Sequence, residues 1–219
     1  MGRQKTIRFQ LNTEAKNVIE PGKPIFETIK GKWASHFFQN SNPIVLELGC
    51  GRGEYTVGLA KEFPTNNFIG IDIKGDRLAV GSQKALAEGI ENVAFLRTKI
   101  QEIYRYFDEN EVSELWITFP DPRNRTSDAR RRLTFPRFLE MYRTILLPNG
   151  VLHLKTDSLP FFKYSVDMLN RFGVQELITT NNLYTSPLAN EHFGIKTKYE
   201  EIFTAKGFTI NYLRCKIKK

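Results

Sequence analysis

The 219-residue chain has few of the side chains that bind metals or crosslink a fold. Its two cysteines, Cys50 and Cys215, show no metal-ligand spacing, and it has three histidines, His36, His153 and His192. These counts argue against a zinc framework and a disulfide scaffold, and no metal is expected. Sparse cysteine fits a reducing compartment. No apolar run is long enough to span a bilayer and the N-terminus has no apolar signal core. The expected location is therefore the cytoplasm, with no membrane partner. Internal repeats and low-complexity tracts are absent, and nothing separates a monomer from a homodimer. At 41% hydrophobic residues the chain can build one sizeable core.

Positive charge is abundant. Lysine and arginine number 32 against 24 acids, a formal net charge of +8, which favours a polyanionic partner. Residues 1–24 carry Arg3, Lys5, Arg8, Lys16 and Lys23 and read as a basic, partly ordered arm before a single domain over 25–219. Ile25, Ile29, Trp33 and Phe37 recur every four residues, which predicts a helix packed on the core. After Asn42-Pro43 the pattern alternates. Strands are expected at 44–48, 67–72, 92–97, 114–119, 150–155, 174–180 and 208–217, the last as an antiparallel edge. Helices are expected at 54–63, 75–88, 100–107, 135–146, 159–171 and 198–206, with a loop over 182–196. Such alternation predicts an α/β fold, a mostly parallel seven-stranded sheet with helices on both faces.

Ile44-Val45-Leu46-Glu47-Leu48 runs into Gly49-Cys50-Gly51-Arg52-Gly53 and then a helix. A dinucleotide-binding loop would need its third glycine at position 54, which is Glu54. The spacing Glu-x-Gly-x-Gly-x-Gly instead resembles that of class I S-adenosylmethionine-dependent methyltransferases, whose fold is Rossmann-like. That cofactor carries an ammonium and a sulfonium, so an acid such as Glu47 beside the loop is useful. Phe68-Ile69-Gly70-Ile71-Asp72 ends the next strand with an acid able to accept both ribose hydroxyls. An ordinary strand–helix turn and a helix-capping aspartate would explain either motif alone. The acid often found after the third strand, where it meets the adenine amine, is missing. Thr98-Lys99 stands there, and Lys99 occupies the aligned position.

Phe119-Pro120-Asp121-Pro122 follows an apolar run, and Arg123, Arg125, Arg130, Arg131 and Arg132 come next. Strand ends of this kind face the ligand crevice of an open sheet, and the two prolines restrict the carboxylate between them. Arginine forks grip phosphate. A solvated charged loop is the competing reading. Thr197-Lys198-Tyr199-Glu200 has the form of a capping box, which would hold Glu200 facing the cleft.

Together with Leu154-Lys155-Thr156-Asp157 and the Thr-x-Tyr-Glu segment, these features resemble the bacterial tRNA (guanine-N7-)-methyltransferase family over roughly residues 25–217. The resemblance implies methyl transfer from S-adenosylmethionine to N7 of a variable-loop guanine in tRNA, with S-adenosylhomocysteine as co-product. It assigns Asp121 as catalytic. Glu47 and Asp72 match cofactor contacts, with Gly49, Gly51 and Gly53 shaping the loop and Thr98 and Lys99 near the adenine. It places Asp157 and Thr197, Tyr199 and Glu200 among substrate contacts. Arg125 stands where the family usually has a lysine. The family usually follows its Asp-Pro with Trp and a basic loop; here Arg123 and Ser127-Asp128-Ala129 depart from that, which shifts the expected phosphate contact to Arg130, Arg131 and Arg132. A methyltransferase acting on another RNA or a small molecule, and a non-catalytic RNA-binding module, are the alternatives. Intact Asp121 and an intact glycine loop argue against the last.

Overall fold

The structure is a computed structural model that describes residues 2–219. Eight strands form one sheet: β1 (Val18–Ile19), β2 (Ile44–Leu48), β3 (Asn67–Asp72), β4 (Val93–Arg97), β5 (Val112–Thr118), β6 (Leu146–Thr156), β7 (Gln175–Thr180) and β8 (Asn211–Lys216). Their order is β1-β4-β3-β2-β5-β6-β8-β7. All pairings are parallel except those of β8, which runs antiparallel to both β6 and β7.

The alternation of side chains along each strand divides the core in two. Ile44, Leu46 and Leu48 of β2, Ile69 and Ile71 of β3, and Leu115 and Ile117 of β5 enter one cluster. It also contains Trp33, Phe138, Tyr142 and Phe161. Val45, Phe68, Phe95 and Trp116 point the other way, onto Tyr55, Leu59 and Leu78. Helices α4 (Pro136–Ile145) and α5 (Leu159–Phe172) thus supply the first face, and α2 (Glu54–Glu62) and α3 (Gly75–Ala87) the second. Both faces are covered, so the central strands read as nearly continuous apolar runs, as a buried parallel sheet requires.

Four expectations need correction. The sheet has eight strands, not seven. The addition is the two-residue β1, too short for any periodicity to announce, and it lies inside the segment read as an arm. That segment is packed on the domain: helix α1 (Arg3–Glu14) ends with buried Asn12 donating to the Gly75 carbonyl at 2.7 Å, and Asn17 donates to the Ser82 carbonyl at 3.2 Å. The helix expected through residues 25–37 is a 3-10 turn at Pro24–Glu27 and a π-helical turn at Trp33–Phe38, parted by Gly31 at φ 70°. Ile29 and Trp33 are nonetheless buried, so the apolar spacing reported burial correctly while the glycine broke the helix. Finally, the last strand is interior; β7 is the edge.

The chain order reverses beside β2, whose neighbours are β3 on one side and β5 on the other. In open α/β sheets the crevice at such a switch point takes the ligand.

Candidate active site

At the carboxyl end of β2 the chain turns sharply and α2 begins at once. Gly53 starts that helix at φ 70°, and a Cβ there would lie 2.5 Å from the Phe95 ring, so both conformation and space demand glycine. Gly53 therefore packs inward, while Gly49 and Gly51 line the crevice. Asp72, at the end of β3, holds the loop. One carboxylate oxygen accepts the Gly51 amide at 3.0 Å, the other the Lys74 amide at 2.8 Å. Each oxygen keeps a lone pair for a further donor.

Glu47 is 3% exposed. Its carboxylate accepts from the Thr118 hydroxyl at 2.5 Å, from the Thr56 amide at 2.8 Å and from the Thr56 hydroxyl. Burial pushes its pKa up to about 7, against the downward pull of the Thr118 and Thr56 hydrogen bonds. A buried acid so poised favours a cation beside it.

Two adjoining cavities, of about 450 and about 500 Å³, share Gly49, Arg77 and Phe119. The first reaches Glu47, Thr118, Thr197 and Tyr199; the second reaches Asp72, Thr98, Lys99, Asp121 and Arg131. The groove thus brings together ten of the residues named from sequence. Lys99 turns outward to Glu102, 3.8 Å away, and Gln101 lines the cavity beside it.

Asp121 stands at the rim, its side chain 61% exposed. The backbone on either side is in the left-handed region, φ 47° at Phe119 and 51° at Arg123, a costly conformation for bulky residues and one that clusters at functional sites. Arg123 grips the carboxylate twice, with its amide at 3.1 Å and its Nε at 3.2 Å. The Arg123 carbonyl is in turn held by Arg132, whose Nε and one terminal nitrogen donate at 3.2 and 3.0 Å, with the guanidinium 4.3 Å from the Tyr164 ring centre. Arg132, expected on phosphate, is thus engaged within the protein. Arg131 pairs with Asp128 at 3.4 Å, while Arg125 and Arg130 are exposed outside the groove.

Glu200 also departs from expectation. It is fully buried rather than facing the cleft, and the Lys155 ammonium lies 2.9 and 3.0 Å from its two oxygens. The Tyr184 hydroxyl donates to it as well. Burial pulls the Lys155 pKa down while Glu200 pulls it back. The capping box at Thr197 is formed, so helix α6 (Lys198–Ala205) is pinned to the end of β6 by its first turn. That pin carries Thr197 and Tyr199 to the groove wall, and the Tyr199 hydroxyl reaches Asp157 at 3.4 Å. Asp157 lines a third cavity across the Asp121-Pro122 corner.

Sequence reasoning passed over Thr56, Thr118, Arg77, Gln101, Phe119 and Lys155 as site residues. A lysine inside the apolar run Leu152–Leu154 to Thr156 was the one available signal; the others are ordinary residues made functional by position.

A family model described as a putative methyltransferase matches residues 41–213. A tRNA (guanine-N(7)-)-methyltransferase of Cytophaga hutchinsonii is 44% identical over 216 residues, covering 98% of this chain and 97% of the relative. The chain belongs to this family. A second family member, from Bacteroides fragilis, is 46% identical with coverage of 98% and 86%, and one from Streptococcus thermophilus is 37% identical with 92% and 90%. Among solved structures, the 16S rRNA methyltransferase KamB superposes with a TM-score of 0.63 at 16% identity, covering 93% of this chain and all but 1% of its own, as its 99% coverage states. A 16S rRNA adenine methyltransferase with S-adenosylmethionine, from Catenulisporales acidiphilia, gives 0.58 at 14% identity, with coverage of 86% and 91%. These two likenesses establish the class I methyltransferase fold.

The residues present fit S-adenosylmethionine. Glu47 offers buried negative charge beside the loop, Asp72 keeps lone pairs for ribose hydroxyls, and Gly49 and Gly51 line the crevice between them.

Proposed function

We propose that this protein methylates N7 of a guanine in the variable loop of tRNA. The bound S-adenosylmethionine supplies an electrophilic methyl group and leaves as S-adenosylhomocysteine. The observation that carries the reading is the placement of Asp121: an exposed carboxylate, held by Arg123, at the rim of the groove that contains Glu47 and Asp72.

Guanine N7 has an in-plane lone pair and needs no deprotonation before it attacks. The protein's task is therefore in-line positioning and stabilisation of positive charge as it develops on the purine. Asp121 accepts the N1–H and N2–H₂ donors of the base, which requires Arg123 to yield one or both of its contacts. Asp157, across the corner, orients the same edge. Tyr199 and Phe119, 5.4 Å apart between ring centres, bound the space above the groove. Glu47 faces the cationic end of the cofactor, Asp72 its ribose, and Gln101 and Thr98 its base, in place of the acid that Lys99 replaces. Arg77, which lines both halves of the groove, is positioned for the cofactor's carboxylate. Arg125, Arg130 and Arg131 meet phosphates. The reaction belongs in the cytoplasm, where tRNA is processed.

The test is direct. Unmodified tRNA, methyl-labelled S-adenosylmethionine and purified protein are incubated, and nucleosides are separated by mass spectrometry. Label in 7-methylguanosine, lost when the variable-loop guanine is replaced by adenine, supports the reading. Label in another nucleoside, or none while the cofactor binds, contradicts it.

A further inference from the structure

A further cavity beside the groove shares Asp157 with the target-base reading but is otherwise assigned to neither cofactor nor target base. It holds about 840 Å³, a size that suits a small-ligand site, and opens at the carboxyl ends of β5 and β6 and the start of β8. Asp121 lines the groove and the next residue, Pro122, lines this cavity, so the two adjoin at that corner.

Its chemistry is specific. Phe208, in the turn after α6, lines it and is 50% exposed. The ring meets Phe203 at 66° and 5.4 Å, edge to face, so it is not stacked against its neighbour. Asn211, the first residue of β8, lines the same cavity at 1% exposure. Its Nδ2 donates to the Thr156 carbonyl at 3.0 Å, while its Oδ1 has no donor among the described residues. A buried amide oxygen without a donor is costly, so a turn of the Asn211 amide toward an N–H brought by a ligand is favoured here. Asn181 adds a polar edge, and Asp157 stands where the cavity meets the target base. A free aromatic ring, a deep orphan acceptor and polar side walls together match a nucleobase, whose face stacks while its edge donates.

We propose that this cavity is a subsite for a nucleotide adjacent to the target guanine in the same RNA strand. Its base stacks on Phe208 and donates an N–H to Asn211. The proposal rests on the tRNA reading above: a strand with guanine at Asp121 leads away over Pro122 and into this cavity. It explains why a groove that must present only one base to the methyl group has a second, roomier slot beside it.

The experiment is a double-mutant cycle between Phe208→Ala and tRNAs made abasic on the 5′ or the 3′ side of the target guanine. Binding and single-turnover methyl transfer are both read. On intact tRNA, Phe208→Ala should weaken binding about 5- to 150-fold, the range found for loss of one base–aromatic stack. S-adenosylmethionine affinity should not change. With one of the two abasic tRNAs the variant should lose almost nothing further, and Phe208→Tyr should restore intact-tRNA binding. An equal loss on all three RNAs, or no loss on intact tRNA, would overturn the subsite. Failure of the unsubstituted protein to methylate intact tRNA would instead count against the function proposed above, and the coupling in binding would still decide the subsite.

Discussion

Two acids at the ends of adjacent strands, both assigned to the proposed reaction, sit in opposite settings. Glu47, on β2, is buried, takes three hydrogen bonds from Thr56 and Thr118, and has its pKa raised by desolvation to about 7. Asp121, just beyond β5, is mostly exposed and held by Arg123 and by proline geometry. The proposed cofactor half of the site is thus built into the sheet, where low dielectric makes a single charge count. The proposed acceptor half is laid on its surface, where a large polyanion can reach it. The difference teaches where specificity resides: the first half can recognise a small cation, and the second can rearrange to accept RNA.

The strongest way to break the comparison is at the pin between the halves. Glu200→Ala would leave the Lys155 ammonium buried without its partner, which costs about 3–5 kcal/mol. Denaturant unfolding should show that loss, together with a detached α6 and weaker cofactor binding. An unchanged midpoint would mean that the pair holds nothing.

The next effect is a pH dependence of the cofactor half. Glu47 in the folded protein titrates at about 7, above its ordinary 4.5, so the folded state keeps a proton that the unfolded chain has already lost between those values. Without cofactor, stability should therefore fall as pH rises from about 4.5 to about 7, by an amount on the order of 3 kcal/mol. A cation beside Glu47 lowers its pKa again. S-adenosylmethionine should thus bind more tightly as pH rises through 7, with proton release measurable by calorimetry in buffers of different ionisation enthalpy. Affinity that is flat from pH 5.5 to 8 would remove Glu47 from cofactor binding.

A smaller effect separates the arginines. Arg130→Gln and Arg131→Gln should each lower the salt dependence of tRNA binding, by roughly one unit in the log–log slope if a single phosphate contact is lost. Arg132→Gln should leave that slope alone and slow turnover instead, because its guanidinium holds the Arg123 carbonyl. A reduced slope for Arg132→Gln would return it to the phosphate contacts.

Much of this architecture could be read from the chain. Strands β2 and β3 follow their expected bounds because fully buried parallel strands are short apolar runs ended by turn residues, and the glycine loop and Asp72 announced the crevice. What escaped depended on partners distant in sequence. β1 exists only because β4 offers it an edge, and Gly31 interrupts an otherwise regular apolar spacing. Glu200 and Arg132 look like surface charges in sequence. One is buried because Lys155 lies 45 positions before it, the other is drawn onto a carbonyl because Arg123 adopts a left-handed turn. The Thr197 capping box was legible because all its parts are local.

The division of labour itself is tested most directly at Asp121. In Asp121→Asn the fold and the Glu47 side of the groove are untouched, while the negative charge facing the acceptor is removed. Single-turnover methyl transfer to tRNA and S-adenosylmethionine affinity would be measured on the same preparation. The account predicts unchanged cofactor affinity with transfer slowed about 10²–10³-fold, the size of effect seen when one preorganised electrostatic contact is lost. Transfer at the unsubstituted rate would contradict it.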